Sequence, residues 1–183
     1  IGSEETVVIT DGFSFSIGSN VPEGHVVRFQ YSAVSGDDEW TGSFAIIAHS
    51  VILNYAGTEI TDEQGNNNGK ADPGETFNLN VSVKNEGSST AYNVTGVLAS
   101  DDEYVMLNVD SLNFGTINAD EILTGAFEVT ALPTTPTGHI AEFTLNLSAD
   151  GGFEATATIT IVIGQIPVLI IDLDGNHNSG PAI

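Results

Sequence analysis

Along residues 77–84 apolar and polar side chains take turns: Phe77, Leu79, Val81 and Val83 against Asn78, Asn80, Ser82 and Lys84. The same period of two runs through Phe143, Leu145 and Leu147, set against Thr144, Asn146 and Ser148. It returns in Ala155, Ala157, Ile159, Ile161 and Ile163, set mainly against threonine. An extended backbone sends successive side chains to opposite faces. The pattern therefore predicts strands of antiparallel sheets with one face on a core and the other in water. Turns are expected at Asn85-Glu86-Gly87, at Gly151-Gly152 and at the proline-containing stretches. No window carries a helical period, so the reading is all-β.

The chain also resembles itself. Pro22-Glu23-Gly24-His25-Val26-Val27-Arg28-Phe29 matches Pro136-Thr137-Gly138-His139-Ile140-Ala141-Glu142-Phe143 at an offset of 114. Upstream, Phe13-Ser14-Phe15-Ser16-Ile17 is similar to Gly125-Ala126-Phe127-Glu128-Val129. A period of that length predicts tandem β-sandwich modules of about 100 residues. On this count residues 51–164 make a complete module and residues 1–50 the C-terminal part of another. Phe13, Phe15, Ile17, Val27, Phe29, Tyr31, Phe44 and Ile46 would form its apolar face. Beyond Gly164 the run Val168-Leu169-Ile170-Ile171-Asp172-Leu173-Asp174-Gly175 is continuously apolar and ends in acid and glycine. It predicts a buried parallel strand, the start of a further α/β domain over 165–183.

Charge narrows the partners. Three basic residues face 25 acidic ones, a net charge of -22, and a field of that sign repels nucleic acid and anionic membrane. No apolar run reaches the roughly 18 residues of a membrane span, so membrane insertion is not expected. With no cysteine, thiol catalysis, disulfides and Cys-ligated zinc are excluded. The acidic runs Asp37-Asp38-Glu39 and Asp101-Asp102-Glu103 read as solvated loop tips.

One stretch departs from plain turn chemistry. Residues 62–75 read Asp-Glu-Gln-Gly-Asn-Asn-Asn-Gly-Lys-Ala-Asp-Pro-Gly-Glu. With Gly69 as the turn glycine of an EF-hand-type loop, Asn66, Asn68, Lys70, Asp72 and Glu75 fall at positions 3, 5, 7, 9 and 12. Calcium takes six to eight oxygens from such alternate residues, with Lys70 giving its carbonyl and Glu75 two oxygens. Gln64 stands where an Asp belongs, and Asp62 is the nearest upstream aspartate, so the loop is either wider or weaker than the standard. A Gly/Asn-rich turn between strands accounts for the same letters and stays open.

These residues, with Asp72-Pro73-Gly74-Glu75-Thr76, Val83-Lys84-Asn85-x-Gly87, Ala91-Tyr92-Asn93-Val94 and Phe114-Gly115-x-Ile117, resemble the immunoglobulin-like, cell-adhesion-related (CARDB-like) modules of large secreted bacterial proteins. Some proteins of that kind carry gingipain-type cysteine peptidase domains. The resemblance implies tandem immunoglobulin-like sandwiches and a location outside the cell or on its surface. It covers residues 51–164 and, as a partial second copy, 1–50. The tail from Val168 looks like the start of an amidotransferase-like domain.

Nothing in the chain reads as an active site. His25 and His139 occupy equivalent places in the two copies, which favours a framework role over a unique site. No spacing suggests zinc, and no nucleophile-elbow sequence supports a triad. Trp40 and Tyr55 could face a sugar, but Trp40 lies at even spacing with Phe44 and Ile46, which favours packing. The expected function is a non-catalytic structural or adhesion segment stabilised by calcium, with neighbouring domains of its parent, or an extracellular protein or glycan, as partners. Two alternatives stay open: an accessory region of a secreted gingipain-type peptidase, and a carbohydrate-binding module.

Overall fold

A computed structural model describes residues 4–18 and 20–164. The α/β start expected at 165–183 lies outside the described residues. Among them every regular element is a strand.

Eight strands form two four-stranded antiparallel sheets. Numbered in chain order, they are β3 (Leu53–Thr61), β4 (Thr76–Asn85), β5 (Ala91–Ala99), β6 (Val105–Leu107), β7 (Ser111–Ile117), β8 (Ile122–Ala131), β9 (His139–Ala149) and β10 (Phe153–Ile163). One sheet has the order β3-β4-β8-β6 and the other β10-β9-β5-β7. From β4 to β9 consecutive strands alternate between the sheets, so each connection crosses the sandwich instead of lengthening one face. This is an immunoglobulin-like β-sandwich.

The alternation in sequence becomes the core. Phe77, Leu79, Val81 and Val83 of β4 and Phe127 and Val129 of β8 are buried against Ala141, Phe143, Leu145 and Leu147 of β9 and Ile159 and Ile163 of β10. On β5 the strict period fails, because the register with β7 shifts between Ala91 and Val94. Asn93 takes a positive φ of 52° there, which asparagine tolerates better than most side chains. The resulting bulge turns Tyr92 to solvent while Ala91, Val94 and Leu98 all reach the core.

The remaining strands, β1 (Val26–Ser35) and β2 (Asp38–Ile47), form a separate two-stranded hairpin. Its register repeats that of β9 and β10: Val26 pairs with Ile47 as Ile140 pairs with Val162, across a turn one residue shorter. The entry turns match as well. The Gly24 N–H donates to the Ala48 carbonyl at 2.9 Å and the Gly138 N–H to the Ile163 carbonyl at 2.8 Å. Likewise His25 N–H donates to Pro22 O and His139 N–H to Pro136 O, both at 3.1 Å.

Phe13 to Ile17 alternate in sequence yet form no strand, for among the described residues no neighbouring strand offers them a ladder. One expectation needs correction here. Trp40, expected to pack, is 55% exposed on the hairpin, because among the described residues no second sheet lies over that face.

Candidate calcium loop

The segment 62–75 joins β3 to β4 and reaches across the open edge of the sandwich. Ala71, buried, forms a parallel bridge with Ile163 at the end of β10, and the Gly164 N–H donates to the Ala71 carbonyl at 2.8 Å. The loop thus ties an edge strand of one sheet to an edge strand of the other.

Asp62 organises it. Its side chain is 1% exposed, and its two oxygens accept the N–H groups of Asn68 at 2.9 Å and Gly69 at 2.8 Å. Burial pushes this carboxyl up, but the N–H groups of Gly69, Asn68, Asp62 itself and Asn67 outweigh it and hold the acid below its ordinary range. Gly69 at φ 73° is the turn glycine the spacing predicted, in the left-handed region where a Cβ is disfavoured. It is Asp62, and not the exposed Gln64, whose carboxylate gathers the turn. Each Asp62 oxygen accepts one of these backbone N–H groups and keeps a further lone pair, so the hydrogen bonds leave it able to act as the extra ligand.

Asn66, Asn68, Asp72 and Glu75 do come together. The Asn66 and Asn68 side-chain amides each donate to Asp72 Oδ2 at 2.8 Å. Asn68 Oδ1 accepts the Lys70 N–H at 2.8 Å, which uses the backbone of Lys70 rather than its ammonium. Glu75 Oε1 accepts the Asn66 N–H at 3.0 Å, while its Oε2 is buried with no hydrogen-bond partner. A Cβ on Gly65 would lie 2.7 Å from the Glu75 carboxyl carbon, so a side chain there would make that carboxylate shift from its present place.

These residues suit a hard divalent cation. Asp72, Glu75 and the amide oxygens of Asn66 and Asn68 are oxygen donors of the kind calcium takes. Rotating an asparagine amide end for end exchanges donor for acceptor at the same place. A buried carboxylate oxygen without a partner is costly unless something positive meets it. Among the described residues no group of three or more His, Cys, Asp and Glu side chains gathers as a metal cluster, so the amide and backbone oxygens would have to complete the shell.

The histidines divide. His139 Nε2 lies 2.7 Å from Asp102 Oδ2 and its ring meets Tyr104 edge-on at 4.8 Å. Asp102 also accepts the Tyr104 N–H at 2.9 Å. The run Asp101-Asp102-Glu103 is therefore not simply a solvated tip. Nearby Ser100 donates its hydroxyl to the Glu142 carbonyl at 2.6 Å, so no Ser–His–Asp relay forms. His25 shares the backbone geometry of His139, but its side chain is exposed.

His49 contacts Ser88, whose hydroxyl donates to Glu23. Acid and imidazole both meet the serine, whereas a catalytic triad places the acid on the far nitrogen of the histidine. Tyr55 packs on the core and donates to Thr58 at 2.8 Å, so it forms no exposed sugar platform with Trp40.

Two residues that matter escaped the reading of the sequence. Asn85 is buried and uses its whole amide: Nδ2 donates to the carbonyls of Ser89 and Ile117, and Oδ1 accepts from Ile52 and Gly87. Its only signal was the Asn85-x-Gly87 motif. Glu23 accepts from Ser50 N and Oγ and from Ser88, and nothing in the sequence marked it.

No protein-family model matches the chain, and no curated protein matches it. Among solved structures, it is similar to the ASH/PapD-like domain of human CEP192 (PapD-like domain 7), with TM-score 0.36 and 15% identity over 64% of this chain and 87% of that one. It is also similar to Spo0M, a sporulation control protein from Bacillus subtilis, with TM-score 0.35 and 19% identity over 66% of this chain. The match spans about half of the Spo0M chain, 51%.

Proposed function

We propose that this chain is a non-catalytic structural or adhesion segment of a secreted, multi-domain bacterial protein, with calcium held in the 62–75 loop. The observation that carries the reading is Glu75 Oε2, buried without a partner beside Asn66, Asn68 and Asp72. The resemblance to CARDB-like modules supports the secreted setting, and the acid excess of the chain suits a calcium-rich medium. The loop spans from β3 to the end of β10, so a cation there would fasten the two sheets at one edge.

A cation bound only by the folded state raises stability by RT ln(1 + [L]/Kd), about 2.7 kcal/mol at a hundredfold excess over Kd. Thermal melts in millimolar calcium should lie above those in chelator. Glu75→Gln should remove most of the difference while the chelated protein melts as before. Equal melting in calcium and chelator would make the loop a plain turn.

A further inference from the structure

The hairpin β1–β2 carries a face that the described residues cover only in part. Residues equivalent by register are Val27 and Ala141, Phe29 and Phe143, Tyr31 and Leu145, Phe44 and Ile159, Ile46 and Ile161. Leu145 and Ile159 are 0% and 2% exposed in their sandwich, whereas Tyr31 and Phe44 are 53% and 52% exposed. Phe29 stacks on Phe44 at 4.9 Å between ring centroids, and Phe15 tilts against Phe29 at 5.0 Å. The aromatic side chains cover one another in part and no more.

The complete sandwich shows what is missing. There β8, which Phe13–Ile17 resemble, pairs with β4 and β6, and the outer edge of β9 pairs with β5. By register, the strand beside β9 at Thr144–Ser148 corresponds to one beside Gln30–Val34 of β1. All the absent partners fall within one contiguous stretch, equivalent to β3–β7, that comes before β8 in chain order.

We propose that residues 13–47 are the last strands of a second sandwich, completed by β3–β7-like strands from polypeptide on their N-terminal side. One such stretch fills the ladder beside Phe13–Ile17, the edge at Gln30–Val34 and the apolar face together. A second copy of this chain fits less well. Its β4, β5 and β8 already have neighbours on both edges, and supplying them would open its own core. The inference rests on the partners that the hairpin lacks and is independent of whether the 62–75 loop holds calcium, so loss of either leaves the other standing.

Trp40 is the only tryptophan and lies at the end of this face, so its fluorescence reports the cover directly. The experiment compares the 183-residue chain with one extended by the natural upstream polypeptide, about 65–70 residues for the missing part of a module. In the shorter chain emission should be that of a water-exposed indole. In the extended chain it should move to shorter wavelength, and the amides of Gln30–Val34 should gain exchange protection. Phe44→Asp should abolish both gains in the extended chain yet leave the melting of the 183-residue chain unchanged. The proposal is overturned by identical Trp40 emission in the two chains, or by upstream polypeptide lacking alternating strands. It is equally overturned if emission of the 183-residue chain shifts with concentration in step with dimer in sedimentation, for then a second copy is the cover.

Discussion

At the scale of single residues, a few polar side chains hold backbone that the sheets leave without partners. Asn85 is the clearest: a buried amide that meets two carbonyls and two N–H groups at the point where β3 begins and β7 ends. Each buried group stripped of its partner costs about 1–3 kcal/mol. Asn85→Ala should therefore lower stability by at least about 2 kcal/mol in urea denaturation. Asn85→Asp should also destabilise, since it keeps the acceptor but loses both donors. Asp62 does comparable work in the loop, where its carboxylate gathers two N–H groups. Glu75 is the exception, with one oxygen satisfied and one not. That asymmetry is why the calcium reading rests on it.

At the scale of elements, the same alternation gives opposite results depending on what lies opposite. In β8, Phe127 is fully buried between sheets. Truncating it leaves a cavity, and Phe127→Ala should cost about 3–5 kcal/mol. In β2, Phe44→Ala should alter the unfolding of the main sandwich by less than about 0.5 kcal/mol, although Phe44 and its equivalent Ile159 read alike in sequence. Urea titration of the two variants checks the contrast. The strands β4, β9 and β10 were legible because a two-residue period with one apolar face specifies both extension and orientation. The bulge in β5 was not, since it arises where Asn93 turns to positive φ and skips the strict alternation. The segment 13–17 shows the same limit from the other side. It has the right alternation, but strand backbone needs a neighbour to take its N–H and C=O groups.

At the scale of the whole molecule, Glu23 joins the turn before the hairpin to the sandwich. The Ser88 hydroxyl first, then the Ser50 N–H, hold its carboxyl down from 4.5 to about 2. The folded value lies below the ordinary one. The contribution of this clamp is therefore fully present above pH 4.5 and is lost as pH falls toward about 2. In a carbon-detected titration Glu23 should show a midpoint near 2, and the Ser50 amide should lose exchange protection over the same interval. Glu23→Gln should abolish that pH dependence, and a Glu23 titrating at its ordinary value would mean that the clamp does not persist in solution. By itself the sequence determined the all-β class, the faces of the strands, the repeat of the entry turn and the glycine at which the 62–75 loop reverses. These depend on neighbours along the chain: the period of two, the conformational freedom of glycine, and the spacing of Asp and Asn. Only the tertiary structure decided that Asp62 turns its oxygens to the backbone, that Asn85 and Glu23 are clamps, and that one apolar hairpin face is covered while its twin is covered only in part. Each of those depends on atoms tens of residues away, and the chemical character of a side chain does not state which distant group will meet it.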